Sequence, residues 1–155
     1  MDIAQRIEEY LAGPEELRQS IAGMTAEEID AAPIPGKWST RQVICHITDF
    51  EPVYADRMKW IIAEENPPLP GGDPNLFAER LAYEHRDIEE ELQLITAVRR
   101  HTARILKTLS PDQFERAGTH SRDGKLTVAD LLDRITNHIP HHIQLIREKR
   151  EALKA

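Results

Sequence analysis

The chain has 155 residues, with 20 basic and 27 acidic side chains, a formal net charge of −7, seven histidines and one cysteine. This length is expected to form one domain, residues 1–155, able to bury a hydrophobic core without a disulfide or metal staple. The lone Cys45 excludes an internal disulfide and a cysteine-rich zinc knuckle, the acidic balance disfavours nucleic acid as a partner, and no stretch approaches the roughly 20 apolar residues that cross a bilayer.

The segment Met1-Asp2-Ile3-Ala4-Gln5-Arg6 lacks the basic and apolar regions of a signal peptide. A single free cysteine suits a reducing compartment, so a cytoplasmic protein without membrane partners is expected. Apolar residues recur at the helical spacing of three and four. Ile3, Ile7 and Leu11 form a short stripe, which Gly13-Pro14 is expected to interrupt before a second segment through Leu17 and Ile21. Thr25 with Glu28 reads as a small capping box, and Pro33-Ile34-Pro35-Gly36 as a loop.

Ser39 with Gln42 forms a second capping box and opens the first long helix, whose stripe is Val43, Ile44, Ile47, Phe50, Tyr54, Met58 and Ile61, with Pro52 inside it. The proline-rich run from Asn66 to Pro74 ends this helix, and its Pro67–Pro74 linker is long enough to cross the end of a bundle. A second long helix is expected from about Asn75 or Leu81 to Leu109, with Ile88, Leu92, Ile95, Val98, Ile105 and Leu109 inward. Asp123-Gly124 signals a turn or hairpin. Thr127 with Asp130 caps the last helix, which carries Val128, Leu131, Leu132, Ile135, Ile139, Leu145 and Ile146 toward the C-terminus. Few segments carry the β-branched and aromatic runs of strands. The fold class expected is all-α, a four-helix bundle with long crossover connections.

Three of the seven histidines fall in the run His138-Ile139-Pro140-His141-His142. His138 and His142 are four residues apart, on one helical face and one turn from each other, the spacing at which two imidazoles reach one metal ion. They are either two ligands or a pair of partly exposed side chains. His46 lies on the apolar stripe of the first long helix, either a satisfied core histidine or a third ligand projecting inward, as bundle metal sites require. Asp49, Glu51 and Asp133 are candidates to orient these rings, or are surface charges. Arg57, eleven residues after His46 on the same helix, either meets an anionic substrate or pairs with a surface acid. Cys45 reads as a small buried hydrophobe; His85, His101 and His120 read as incidental.

Gly36-Lys37-Trp38-Ser39, then His46-Ile47-Thr48-Asp49-Phe50-Glu51, then His138-x-x-x-His142 resembles the DinB-like superfamily over nearly the whole chain. That family includes damage-inducible proteins, the bacillithiol-transferase group and mycothiol-dependent maleylpyruvate isomerases. The resemblance implies a four-helix bundle with a long crossover, a divalent metal held by three histidines, and a homodimer. Carried over, it makes His46, His138 and His142 the metal ligands, with Trp38 and Ser39 in a packing and capping role. Leu145 stands where family members often have Gln, with Gln144 one earlier, so His141 is an alternative to His142. The implied function is that of a metal-dependent thiol S-transferase or hydrolase acting on a small molecule. Zinc or nickel would be the metal, and a low-molecular-weight thiol a co-substrate. A non-enzymatic stress-response or metal-binding bundle is the alternative.

Overall fold

The computed structural model describes all 155 residues. Four long helices make the body: α1 (Ile3–Ser20), α3 (Thr40–Ala63), α5 (Ile88–Leu106) and α6 (Val128–Leu153). Two short ones, α2 (Ala26–Asp30) and α4 (Pro74–Arg80), lie in the connections. Three short strands complete the chain: β1 (Pro68–Leu69), β2 (Ala117–His120) and β3 (Gly124–Thr127). Side chains start the helices as expected. Ser39 Oγ accepts from Gln42 N–H while the Gln42 side chain accepts from Ser39 N–H, and Thr127 and Asp130 repeat the exchange on α6.

Helix α1 packs on α5 and α6, and α3 on α5 and α6. The order around the bundle is therefore α1, α5, α3, α6. Successive long helices α1 and α3 sit on one diagonal, α5 and α6 on the other. The Pro67–Pro74 linker joins neighbours; the two diagonal crossings are made by residues 21–39 and 107–127, which corrects the sequence-based placement of the crossover.

Four other expectations change. The helix anticipated from Asn75 or Leu81 to Leu109 is divided, because Ala82 takes a left-handed conformation (φ 54°) between α4 and a short helical turn at Tyr83–His85. The strands, too short to show periodicity, form a sheet in the order β1-β2-β3. The β2–β3 hairpin turns at Asp123-Gly124, and β1 pairs parallel to β2 through Pro68↔Thr119 and Leu69↔His120. Gly118 permits that approach, since a Cβ there would stand 2.8 Å from the Pro67 carbonyl oxygen.

Finally, Gly13-Pro14 does not interrupt α1. Pro14 lacks the N–H that would bind the Tyr10 carbonyl, and that carbonyl instead accepts from Arg99 Nη1 at 2.7 Å. A Cβ on Gly13 would lie 2.5 Å from the same Nη1. The dipeptide is thus a seat for a buried arginine. The buried stripe of α5 runs Leu92, Ile95, Arg99, Thr102, Ala103 and Leu106, not through Val98 and Ile105.

Arg99 and Glu51 are both fully buried, and Glu51 takes the guanidinium through both oxygens, from Nε at 3.0 Å and Nη2 at 2.6 Å. Arg99 Nη2 also donates to the Ile135 carbonyl at 2.8 Å, and the guanidinium lies 4.6 Å from the Tyr10 ring centroid. The apolar core falls into two clusters. Ile95, one turn before Arg99, belongs to one and Ala103, one turn after, to the other. Arg99→Met strands a buried carboxylate and is expected to cost about 3–5 kcal/mol in urea unfolding. The double variant Glu51→Leu/Arg99→Met is expected to be more stable than Arg99→Met alone, and a double variant no better would contradict this account.

Candidate metal centre

Helix α3 brings His46 inward on its second turn, and α6 brings His138 and His142 inward one turn apart. The Nε2 atoms of His46 and His138 are 3.0 Å apart, as are those of His138 and His142. One ligand atom from each of the three lies within 4.8 Å of the others. The rings meet nearly edge to face, at interplanar angles of 73°, 75° and 83°. Trp38 and Phe50 wall His46 on two sides, each 5.1 Å centroid to centroid.

Burial opposes a charge on these imidazoles. It pushes the pKa of His46 down to about 4, that of His138 to about 2 and that of His142 to about 3, with neighbouring histidines adding to the effect. All three are neutral at pH 7. Each Nδ1 is buried without a hydrogen-bond partner, while the Nε2 atoms converge on one another. With the proton of each ring on Nδ1, three Nε2 lone pairs face one point and lack a donor. A cation satisfies that arrangement, and a neutral three-nitrogen set leaves a fourth coordination position open. The residues therefore fit a divalent metal.

The other expected participants are placed differently. His141 is exposed and outside the cluster, its ring 5.0 Å from that of His142. None of the three carboxylates bonds a histidine. Asp49 pairs with Arg86 at 2.8 Å, Glu51 is the partner of Arg99, and Asp133 pairs with Arg6. The Cys45 thiol is fully buried, 3.7 Å from the Tyr83 carbonyl oxygen, and burial pushes its pKa up to about 12, which removes it as a nucleophile.

Arg57 is buried, not a surface pair. Its Nη2 donates to the Pro70 carbonyl at 2.7 Å, and it stacks 5.0 Å over the Tyr54 ring. His120, read as incidental from the sequence, is also buried. Its Nδ1 accepts from the N–H groups of Arg122 and Asp123 at 3.2 and 3.1 Å, so the proton of the neutral ring sits on Nε2. Both line a cavity of about 320 Å³ that also touches His46 and His138. The one signal in the sequence was the adjoining Asp123-Gly124 turn, which brings the end of β2 to the bundle.

The model of the DinB superfamily matches residues 9–146. A candidate metal-dependent hydrolase of Oceanobacillus iheyensis is 31% identical over 130 residues, covering 84% of this chain and 75% of the relative. A second such candidate, YfiT of Bacillus subtilis, is 29% identical over 137 residues, 87% of this chain and 76% of its own. The solved YfiT structure, described as having an unusual four-helix bundle topology, superposes with a TM-score of 0.92 over 98% of this chain and 87% of that one, at 25% identity. A mycothiol-dependent maleylpyruvate isomerase shares the fold, with a TM-score of 0.72 at 12% identity; the match covers 92% of this chain and 60% of that protein.

The depressed histidine pKa values fix the direction of a pH effect in protein stripped of metal. Above about pH 6.5 neither folded nor unfolded chain protonates these rings. Below it the unfolded chain takes up protons that the folded chain refuses, so stability is expected to fall, by at most about 1.4 kcal/mol per pH unit for each histidine. Thermal melts from pH 7.5 to 5 are expected to show a steeper decline for the wild type than for His142→Gln, and equal slopes would contradict the assignment.

Proposed function

The chain belongs to the DinB superfamily, and within it we propose a metal-dependent enzyme acting on a small-molecule electrophile. His46, His138 and His142 hold a divalent metal, zinc or nickel, through Nε2. The single observation that carries this reading is the convergence of three neutral imidazole nitrogens, of buried His46 and His142 and half-buried His138, at the edge of a cavity. When bound, the metal supplies Lewis acidity and favours the deprotonated form of a nucleophile beside it, water in hydrolysis or a thiolate in S-transfer.

This chain's residues do the rest. The histidines stay neutral at working pH, so they need release no proton to take up the ion. Trp38 and Phe50 keep water from the flanks of His46 and hold its ring. His120 presents Nε2–H as a fixed donor at the cavity. No thiol of the chain itself serves, because Cys45 is buried against Tyr83; a thiol nucleophile has to come from a co-substrate. The names of the sequence relatives support hydrolysis, whereas the isomerase contributes a likeness of fold.

Metal analysis of protein prepared without a polyhistidine tag is expected to find about one equivalent per chain, lowered at least tenfold in His138→Ala. Less than about 0.2 equivalents, unchanged after incubation with zinc or nickel, would falsify the metal reading. Turnover of ester or amide substrates without added thiol then supports hydrolysis. Turnover only with bacillithiol, mycothiol or glutathione supports S-transfer, and metal binding without turnover in either assay leaves the non-enzymatic bundle.

A further inference from the structure

The cavity beside the histidines is positively charged in a chain of net charge −7. Three arginines line it, Arg57, Arg122 and Arg134, against one carboxylate, Asp123. Arg134 is matched, since its Nη1 donates to Asp123 at 2.7 Å. Arg57 and Arg122 are not. Arg57 Nη2 meets the Pro70 carbonyl at 2.7 Å and Arg122 Nη2 the Gly72 carbonyl at 2.8 Å, neutral acceptors that hold a guanidinium in place without offsetting its charge. The lining thus carries three positive charges against one negative, a surplus of two.

Arg57 is the unusual member. It is only 5% exposed, faces no carboxylate among its bonded partners, and its Nε is buried with no acceptor at all. Burial pushes its pKa down, with Tyr54 opposing the shift and Arg122 and Arg134 adding to it. A buried polar atom lacking a partner is rare in folded proteins, and a desolvated guanidinium beside two others is costly unless something anionic joins it. The His120 Nε2–H adds a neutral donor on the same wall. The cavity also touches His46 and His138, so a group seated on these donors lies next to the proposed metal.

We infer that this cavity is the subsite for an oxyanion, a carboxylate or phosphate, carried by the small-molecule substrate. Arg57 and Arg122 supply its charge partners and His120 a further hydrogen bond. The inference rests on the proposed function for the role of the bound molecule, but its recognition chemistry belongs to the arginines. The substrate class narrows accordingly to small anionic electrophiles; neutral analogues lack the partner that Arg57 requires.

The test is a calorimetric titration of the full-length protein, as purified and again after chelator treatment, with succinate, inorganic phosphate and neutral succinamide. Saturable binding of succinate or phosphate is expected, weakened about five-fold or more in Arg57→Gln and Arg122→Gln and unchanged in Arg104→Gln, which removes an exposed charge on α5 outside this cavity. Whichever anion binds more tightly identifies the carboxylate or the phosphate. Arg122 is exposed, so its variant decides the matter if Arg57→Gln fails to fold. No saturable binding of either anion to the wild type, equal affinity for succinamide, or wild-type affinity in the Arg122 variant overturns the inference. Anion binding by a protein that holds no metal would fell the metal reading alone, and metal without anion binding would fell this one alone.

Discussion

Arg99 ties all four long helices together by hydrogen bonds. It leaves α5, takes Glu51 of α3 through two hydrogen bonds, and donates to the carbonyls of Tyr10 on α1 and Ile135 on α6. A guanidinium buried this deeply is tolerable only when its donors are met and its charge is matched. That requirement propagates into the sequence. Pro14 frees the Tyr10 carbonyl, Gly13 leaves room for Nη1, and Glu51 stands on an otherwise apolar face. The clamp also fixes register. Ile135 lies three residues before His138 and Glu51 five after His46, so the same bonds that join α3 to α6 hold the histidines at 3.0 Å. The nearby positive charge further disfavours protonation of His138.

A second consequence concerns the carboxylates around the histidines. Asp49, Glu51 and Asp133 each belong to an arginine, Arg86, Arg99 and Arg6, and none reaches an imidazole. Under the proposed function this matters chemically. A metal held by His46, His138 and His142, with no carboxylate bonded behind these neutral rings, would keep more of its charge for polarising a bound molecule. The unmatched arginines of the adjoining cavity act in the same direction. Under that reading both features would favour an anion and stabilise negative charge that builds up during reaction.

The sequence was most legible where local rules decide the structure. The capping exchanges at Ser39–Gln42 and Thr127–Asp130 depend on residues three apart, and the His138–His142 pair on one helical turn. Both are visible in a string of letters, and the structure reproduces them. What stayed hidden depends on distant partners. Arg99 carries no local mark of burial, because its carboxylate is 48 positions away. Apolar periodicity placed the stripe of α5 through Val98 and Ile105, whereas the buried face runs through Arg99 and Leu106. Gly13-Pro14 looked like a break because the donor that rescues the Tyr10 carbonyl is 89 positions away. His120 carries no local mark of function, since its importance comes from where the hairpin lands. Strand β1, two residues long, has no periodicity to read; only its pairing with β2 makes it a strand.

That pairing separates two tasks within the molecule. The histidines stand on α3 and α6, helices held in register by a buried ion pair, where sub-ångström placement is attainable. The cavity beside them is walled by Arg57 of α3 and Arg134 of α6 together with residues of two connections, Gly72, His120, Arg122 and Asp123. Pairing of β1 with β2 brings the proline-rich linker against the hairpin, so that Pro70 and Gly72 hold Arg57 and Arg122 by their carbonyls. The Gly71 N–H donates to Ser121 Oγ at 3.0 Å and ties the two loops together. Loops tolerate substitution and changes of length far better than packed helices do. A chain built this way can keep its three-nitrogen centre unchanged while the linker and hairpin change what is admitted beside it. Under the proposed function, the metal centre and the Arg57 anchor then belong to the bundle, while residues 66–74 and 117–127 shape what else is admitted beside them.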